Sequence, residues 1–381
     1  MLRHITFLLL YFFISTSVNT NNAYASHIQT KASQAVVFDF LSDMVLFTHN
    51  ADKQIISSSM SHLMTLYVTF SYMKAGFVKM EDKYITSKEA WQKGGASIFL
   101  RTGQSVTVRD LINGIITISA NDASITLAEG IAGSQENFVN EMNRIAQKLN
   151  LTKSHFTNVT GSPDKNQVMS AHDLITLAVR LFKDFPEYYH LFSKKDFKYN
   201  NIYQKSVNSL LNNTQVDGIA VGYSEVEGYG AIISAVREGR RVFILTNGLK
   251  TEEELLHEVE QFIDYYFNQF SNKTIFNQGN NVVTITVSKG DVSSVDAIVN
   301  KDVVVLYPKG LYDNVKISIL HDNTISAPIK KGQEIGEIHI QSPGLTKKVI
   351  PIYATNNVNK INYLQKIWYM LFPKTTKAHN N

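Results

Sequence analysis

The hydrophobic pattern of the chain changes near residue 272, and this change limits the possible folds more than any other feature. Before it, alternating apolar runs typical of strands are interspersed with runs of helical period, the last of which predicts an amphipathic helix over 252–270. After it come only short apolar runs separated by Gly, Pro and Asn, at 282–287, 303–306, 315–320, 337–340 and 348–352. The pattern predicts a mixed α/β (α+β) domain over 26–271 and a small all-β domain over 272–356.

The first of these domains contains both helices and strands in its predicted element order. The elements are a β-hairpin over 35–47, helices over 60–68, 111–118, 128–149 and 170–182, an edge strand over 217–223, strands over 231–236 and 242–246 joined by a turn at Glu238-Gly239, and the helix over 252–270. The helix over 111–118 is apolar enough to be fully buried.

Composition excludes several classes of function. The chain has 381 residues, of which 44% are hydrophobic, so it can bury a large core in two domains. It has no cysteine, which excludes disulfides and thiolate chemistry. Its net charge of +4 is too small to indicate nucleic-acid binding and suits weak attraction to anionic envelope surfaces. No two of its eleven histidines have the spacing of a helical metal pair, so we expect neither a metal nor another cofactor.

Both ends of the chain carry apolar segments with a targeting character. A basic start, an apolar run over 5–14 and Ala23-Tyr24-Ala25 predict a signal peptide over 1–25 and therefore export; ten apolar residues are too few for a membrane-spanning helix. The segment 357–381 predicts an amphipathic helix over 359–372 and a polar tail. This helix either lies in a membrane interface as a peripheral anchor or packs on the β domain.

The stretch Ser58-Ser59-Met60-Ser61-His62 is the first candidate for a chemical site. Small hydroxyl residues precede an apolar run of helical period, which is typical of a helix N-terminus. There, free backbone N–H groups and the helix dipole favour developing negative charge. His62 follows Ser59 by three residues, so the two side chains share a helix face and can exchange a proton. Taken alone, the pattern also fits a capped surface helix with an incidental histidine.

Two later stretches add further candidates. Ser119 and Asn121 follow the predicted buried helix, so they form either a helix-end turn or a pair of side chains that project into a cleft. The run over 217–223, which contains Ala220, Val221, Gly222 and Tyr223, predicts an edge strand beside that cleft.

The three stretches, in this order and at this spacing, resemble the Ser-x-x-Lys, Ser-x-Asn and Lys-Thr-Gly segments of the serine D-alanyl-D-alanine carboxypeptidases, the low-molecular-weight penicillin-binding proteins. The resemblance extends over roughly residues 30 to 350. It implies a penicillin-binding-protein and serine β-lactamase-like fold: an antiparallel sheet with helices on both faces and a helical subdomain, followed by the all-β domain. It also implies acyl transfer on peptidoglycan stem peptides, recognition of β-lactams, and a place in the periplasm or cell envelope at the outer face of the inner membrane.

The resemblance assigns a role to each candidate. Ser59 would be the nucleophile, His62 the base and Ser119 a proton shuttle. The Asn121 side chain would bind the substrate amide, and the substrate-binding strand would contain Ala220, Val221, Gly222 and Tyr223. The backbone N–H groups of Ser59 and Tyr223 would form the oxyanion hole.

Two of the three motifs depart from the family pattern. His62 stands where the first motif has lysine, and a base misplaced by an ångström can cost about a hundredfold in rate. An imidazole is nevertheless able to act as a neutral base without special tuning. Ala220 and Val221 replace the Lys and Thr of the third motif, so the cation and the hydroxyl that would hold a substrate carboxylate are missing.

Two hypotheses from different classes therefore stay open. The first is a serine carboxypeptidase of weak or lost activity with Ser59 as nucleophile, and the second is a non-catalytic relative that binds peptidoglycan or scaffolds envelope partners. A class A β-lactamase is less favoured, because it needs the same lysines and lacks the β-rich C-terminal domain.

Overall fold

The computed structural model describes residues 28–56 and 58–361. The strands of the first part of the chain are β1 (Gln34–Asp39), β2 (Met44–His49), β3 (Gln54–Ile56), β4 (Lys83–Ile85), β5 (Ser105–Thr107), β6 (Val168–Ser170), β7 (Asp196–Tyr199), β8 (Ile202–Lys205), β9 (Val216–Ser224), β10 (Gly228–Arg237) and β11 (Arg240–Leu249). The helices are α1 (His62–Lys74), α2 (Lys88–Gln92), α3 (Val108–Ile118), α4 (Asn121–Ala132), α5 (Gln135–Lys148), α6 (Ala171–Asp184), α7 (Pro186–Tyr189) and α8 (Glu252–Gln269). The later strands are β12 (Phe270–Phe276), β13 (Asn281–Ser288), β14 (Ser294–Ile298), β15 (Val303–Pro308), β16 (Lys316–Leu320), β17 (Thr324–Ser326), β18 (Glu334–Gln341) and β19 (Lys348–Ala354).

An antiparallel sheet in the order β2-β1-β11-β10-β9 forms the centre of the first part of the chain. Because side chains alternate across a strand, neighbouring residues enter different cores. Val36 and Phe243 join the core that contains α1 and α6, whereas Val37, Ile233 and Ile244 join the core under α8. The predicted antiparallel sheet with helices on both faces is confirmed, and β9 lies at its edge.

Both hairpins predicted in this sheet are confirmed. β1 pairs with β2, and β10 pairs with β11 through the turn at Glu238-Gly239. Glu238 has φ 52° and Gly239 has φ 76°, the two left-handed conformations that a tight turn between twisted antiparallel strands requires.

The helical subdomain contains α1 to α5, and here one prediction is wrong. The expected single helix over 128–149 is two helices, α4 and α5. Gly133 takes the left-handed conformation that ends α4, and the Ser134 hydroxyl accepts a hydrogen bond from the Asn137 N–H, which starts α5. The apolar stripe continues across the break, because Phe138, Met142 and Ile145 are all buried.

From β12 to residue 361 the described chain consists of β-strands with one short 3-10 turn, Tyr312–Asn314, so the predicted all-β domain is confirmed. A six-stranded sheet has the order β16-β18-β19-β14-β13-β17, and β12 pairs with β15. Its core consists of aliphatic side chains, among them Ile285, Val295 and Ile338. The predicted division between residues 271 and 272 falls inside β12, so the exact domain boundaries stay predictions.

The predicted signal peptide and most of the predicted C-terminal helix lie outside the described residues. Residues 359–361 are described and are not helical: Lys360 forms a β-bridge with Gly290, and the Asn359 side chain bonds to Asp291. The expected start of that helix at Asn359 is therefore wrong. Within 28–56 and 58–361, no helix has the length and apolar character needed to cross a membrane.

Candidate active site

Ser59 lies in a 3-10 turn, Ser58–Ser61, that leads directly into α1 and packs against β9. The turn replaces the side-chain cap that the sequence suggested, since Ser61 at the N-cap position makes no capping hydrogen bond from its side chain. Ser59 is half-buried. Its position between the start of a helix and the edge of a sheet is open to a ligand that approaches along β9.

His62 is buried, with 3% of its surface exposed. Its Nδ1 lies 3.0 Å from the backbone oxygen of Ser59; a carbonyl oxygen can only accept, so Nδ1 carries the proton and donates. Burial lowers the pKa of His62 from 6.5 to about 4, against the opposing effect of this hydrogen bond. The imidazole is therefore neutral near pH 7, and the lone pair of its Nε2 has no hydrogen-bond partner.

A small cavity of about 20 Å³ brings His62 together with other predicted residues. Ser59, Ser119, Ala220 and Val221 all line it. Asn208 lines it too, and neither the oxygen nor the nitrogen of its buried side-chain amide has a hydrogen-bond partner. The rest of the lining is apolar, but a cavity of this size with several polar side chains in its wall accommodates about one water molecule, which would bridge Nε2 to a serine hydroxyl.

Ser119 occupies the C-cap of α3 in the left-handed conformation, with φ 56° and ψ 42°. Such a conformation is uncommon for a residue other than glycine and is often found at functional sites. The turn that it makes between α3 and α4 places Ser119 on the wall of both the small cavity and the larger cleft. The interpretation of Ser119 as a cleft residue is therefore favoured over a plain helix-end turn.

Asn121 lies beside this turn but lines neither cavity. Its side-chain nitrogen donates to the Gly94 oxygen at 3.0 Å, and its backbone N–H donates to the Ala96 oxygen at 2.7 Å. Asn121 thus holds the segment that supplies Ala96 to the cleft wall. Its predicted bond to a substrate amide stays a prediction.

Asp122 fixes the same segment, and the sequence analysis assigned it no role. Its buried carboxylate, in the first turn of α4, accepts hydrogen bonds from the Ser97 hydroxyl at 2.7 Å and from the backbone N–H groups of Ile98 and Leu100 at 3.1 and 3.0 Å. An acidic residue directly after the serine and asparagine motif, at a helix N-terminus, was the available signal.

A cleft of about 270 Å³ opens beside Ser59. The predicted residues that line it are Ser59, Ser119, Val221, Gly222 and Tyr223. The sequence analysis gave no site role to its other lining residues, Ala96, Ile118, Val207, Ser209, Tyr229, Glu252 and Leu255. Tyr229 could have been found from the hairpin register, which sets it opposite Tyr223. Glu252 opens the acidic first turn of α8, but no local pattern connects that turn to the cleft.

Within the described ranges, 28–56 and 58–361, no group of three or more His, Cys, Asp or Glu side chains is placed to hold a metal ion. The groups available for chemistry are the serine hydroxyls and the Glu252 carboxylate of the cleft, the neutral imidazole of His62 in the adjoining small cavity, and backbone N–H groups.

The structure combines three features: a serine turn packed against the edge strand of an antiparallel sheet, a second cleft serine at the end of a buried helix, and an all-β domain later in the chain. Together these features are typical of the penicillin-recognising serine proteins. The chain belongs to the D-alanyl-D-alanine carboxypeptidase family. Residues 19–251 match the model of that family, and residues 270–360 match the model described as penicillin-binding protein 5, C-terminal domain.

Relatives and solved structures agree with this assignment. The chain is 34% identical over 348 residues to the D-alanyl-D-alanine carboxypeptidase DacC of Escherichia coli, covering 89% of this chain and 87% of the relative. Penicillin-binding protein 5 of Haemophilus influenzae has the same fold, with a TM-score of 0.84, 30% identity and coverage of 87% of this chain and 99% of that one. Penicillin-binding protein D2 of Listeria monocytogenes, solved in its cefotaxime-bound form, has a TM-score of 0.58, 27% identity and coverage of 63% and 98%.

Proposed function

We propose that this chain is an exported protein of the cell envelope that binds D-alanyl stem peptides of peptidoglycan and forms an acyl-enzyme through Ser59, with weak or lost carboxypeptidase turnover. The substrate class follows from membership of the family, and β-lactam binding is extended to this chain from the cefotaxime-bound relative. Export rests on the sequence pattern over 1–25.

The observation that carries this proposal is the shared cavity of Ser59 and a neutral His62. For acylation, the Ser59 oxygen bonds to the carbonyl carbon while its proton leaves toward Nε2 of His62; the peptide C–N bond then breaks, and the leaving amine takes up that proton. Because Nε2 has no hydrogen-bond partner, the proton must cross the cavity through a bridging group. A base with a pKa of about 4 accepts a proton less readily than an exposed imidazole does, so both acylation and deacylation are slow.

The alternative is a non-catalytic protein that binds peptidoglycan or scaffolds envelope partners. The same observation favours it in one respect, since Nε2 makes no hydrogen bond to Ser59 in the described structure. Under this alternative the cleft binds stem peptides without bond cleavage, and Ser59 serves as a hydrogen-bonding group only.

Mass spectrometry of the mature protein incubated with ampicillin separates the two functions. We expect a slowly formed adduct of the drug's mass on the wild-type protein between about pH 6 and pH 9, and none on Ser59→Ala. Ser209→Ala is the matched control, since Ser209 lines the cleft but not the cavity of His62, and it should still form the adduct. The absence of any wild-type adduct at high drug concentration would favour the non-catalytic binder.

A further inference from the structure

One wall of the cleft carries a negative charge. Glu252 lines the cleft at the start of α8, and its Oε1 accepts a hydrogen bond from the Ser209 hydroxyl at 2.8 Å. Glu252 is exposed to solvent, as is this bond, which orients the carboxylate along the cleft wall; the helix N-terminus behind it stabilises the negative charge. Among the described residues that line the cleft, Glu252 is the only one with a charged side chain.

The surfaces beside Glu252 are apolar or aromatic. Val221 and Leu255 line the cleft, and Leu255 is 3% exposed. Tyr223 and Tyr229 complete this side, with their ring centroids 4.6 Å apart. A group bound here exchanges part of its hydration for hydrocarbon and aromatic surface, which favours a group that is uncharged or that finds its partner in Glu252.

Two of the cations in this part of the molecule have ionic partners of their own. Arg241 forms an ion pair with Asp217 of β9 at 2.8 Å, and Lys31 lies 3.8 Å from Glu254 in the first turn of α8. None of the cleft-lining residues is a lysine, arginine or histidine. A carboxylate that entered this part of the cleft would be desolvated beside Val221 without a positive partner and repelled by Glu252.

We propose that the cleft selects D-alanyl peptides that end in a carboxamide rather than a free carboxylate, with Glu252 as the residue that determines this preference. A carboxamide has no charge to be repelled, and its N–H groups can donate to the Glu252 carboxylate. This inference rests on the proposed function, because it specifies which D-alanyl peptides bind beside Ser59.

The test is isothermal titration of mature Ser59→Ala protein, which excludes turnover through Ser59, with an N-acyl-D-alanyl-D-alanine peptide in its acid and its carboxamide form. At neutral pH and low salt we expect the carboxamide to bind about tenfold more tightly than the acid. Glu252→Gln in the same background should reduce this ratio about threefold or more, because it removes the repulsion and its side-chain oxygen can still accept the hydrogen bond from Ser209.

Glu253→Gln is the matched control, since Glu253 is an exposed acidic residue of the same helical turn that does not line the cleft. In the Ser59→Ala background, Glu253→Gln should leave the ratio of carboxamide to acid affinity unchanged. Equal or tighter binding of the acid form would overturn the inference and leave the proposed function standing. Failure of both peptides to bind at millimolar concentration would overturn the inference together with the peptide binding that the proposed function requires. A ratio unchanged by Glu252→Gln would remove Glu252 as its cause.

Discussion

At the scale of single residues, the environment of His62 determines both its charge and the identity of its basic atom. The Ser59 carbonyl holds the proton on Nδ1, and burial disfavours a second proton on Nε2. In an exposed helix the same residue would be partly protonated near its ordinary pKa of 6.5. The folded protein thus keeps a neutral base near the serine hydroxyls, and the same burial lowers its stability at low pH.

The pH dependence of stability tests this environment through the substitution His62→Gln. The pKa of His62 is about 4 when folded and 6.5 when unfolded, so between these values the unfolded chain binds more protons. The contribution of His62 to stability is therefore fully present above pH 6.5 and is lost as the pH falls toward 4, by about 3 kcal/mol at most. Urea unfolding across this window should show a steeper loss for the wild-type protein than for His62→Gln.

The chain has ten histidines besides His62, so only the difference between matched proteins is informative. His172→Gln is the control, because His172 is exposed in the first turn of α6 and lies 3.4 Å from Asp52. Its unfolding free energy should follow the wild-type pH profile closely. Parallel profiles for wild type and His62→Gln between pH 4 and 6.5 would show that the imidazole titrates as if it were exposed.

At the scale of elements, the segment between α2 and β5 forms part of the cleft because α4 holds it. A Cβ atom on Gly95 would lie 2.7 Å from the Asn121 side-chain nitrogen, the group that donates to Gly94. Gly95→Ala should therefore cost about 1 kcal/mol for its left-handed backbone and about 1 to 2 kcal/mol more for the displaced hydrogen bond. Thermal unfolding measures the total cost, and peptide titration measures the effect on the cleft.

Gly103→Ala provides the control for Gly95→Ala. Gly103 has φ +80°, close to the +72° of Gly95, and a Cβ there would meet nothing within 4 Å. It should show the backbone cost alone and leave ligand affinity unchanged. If both variants lose the same stability and bind equally well, Asn121 does not depend on the close approach of Gly95.

The sequence predicted elements wherever a long run carried one period. The buried helix α3, the amphipathic α8 and the hairpins of the main sheet each have such a run. Strands β3 to β8 have only three or four residues, too few to show a period, and their pairing depends on distant segments. The break between α4 and α5 was missed because the apolar stripe continues past Gly133-Ser134.

The site residues also separate into those that a local sequence pattern predicts and those that only tertiary contacts bring to the cleft. The resemblance carried by the three motifs predicted a common site for Ser59, Ser119 and Val221, and all three line one cleft. The burial of His62 depends on Phe192 and Ile219, which arrive from distant parts of the chain to line its cavity. Glu252 reaches the cleft only because α8 packs on the sheet whose edge is β9. Such contacts are tertiary and leave no local signal.

At the scale of the whole molecule, the β-rich part contacts the first sheet at the turn between β1 and β2. Asp43 in this turn accepts from Lys183 at 3.3 Å and from Lys301 at 3.1 Å. Lys348, at the start of β19, donates to the Ser42 backbone oxygen. Burial lowers the pKa of Lys348 to about 8, with Lys301 and Lys183 acting in the same direction and Asp43 and Asp39 opposing them.

Replacement of Lys348 by methionine tests whether this half-buried cation destabilises the contact. The pKa of Lys348 is about 8 when folded and 10.5 when unfolded, so its charge costs stability below pH 8 and the cost disappears as the pH rises to 10.5. We expect the unfolding free energy of the wild-type protein to gain up to about 3 kcal/mol relative to Lys348→Met across that window. Lys301→Met is the control: it removes an exposed cation from the same contact, so it measures how the loss of one positive charge changes the unfolding free energy in general. If the unfolding free energies of wild type and Lys348→Met instead differ by the same amount from pH 8 to 10.5, the Lys348 ammonium is as well solvated in the folded protein as in the unfolded chain. The contact between the two parts of the molecule then carries no cost from a desolvated charge.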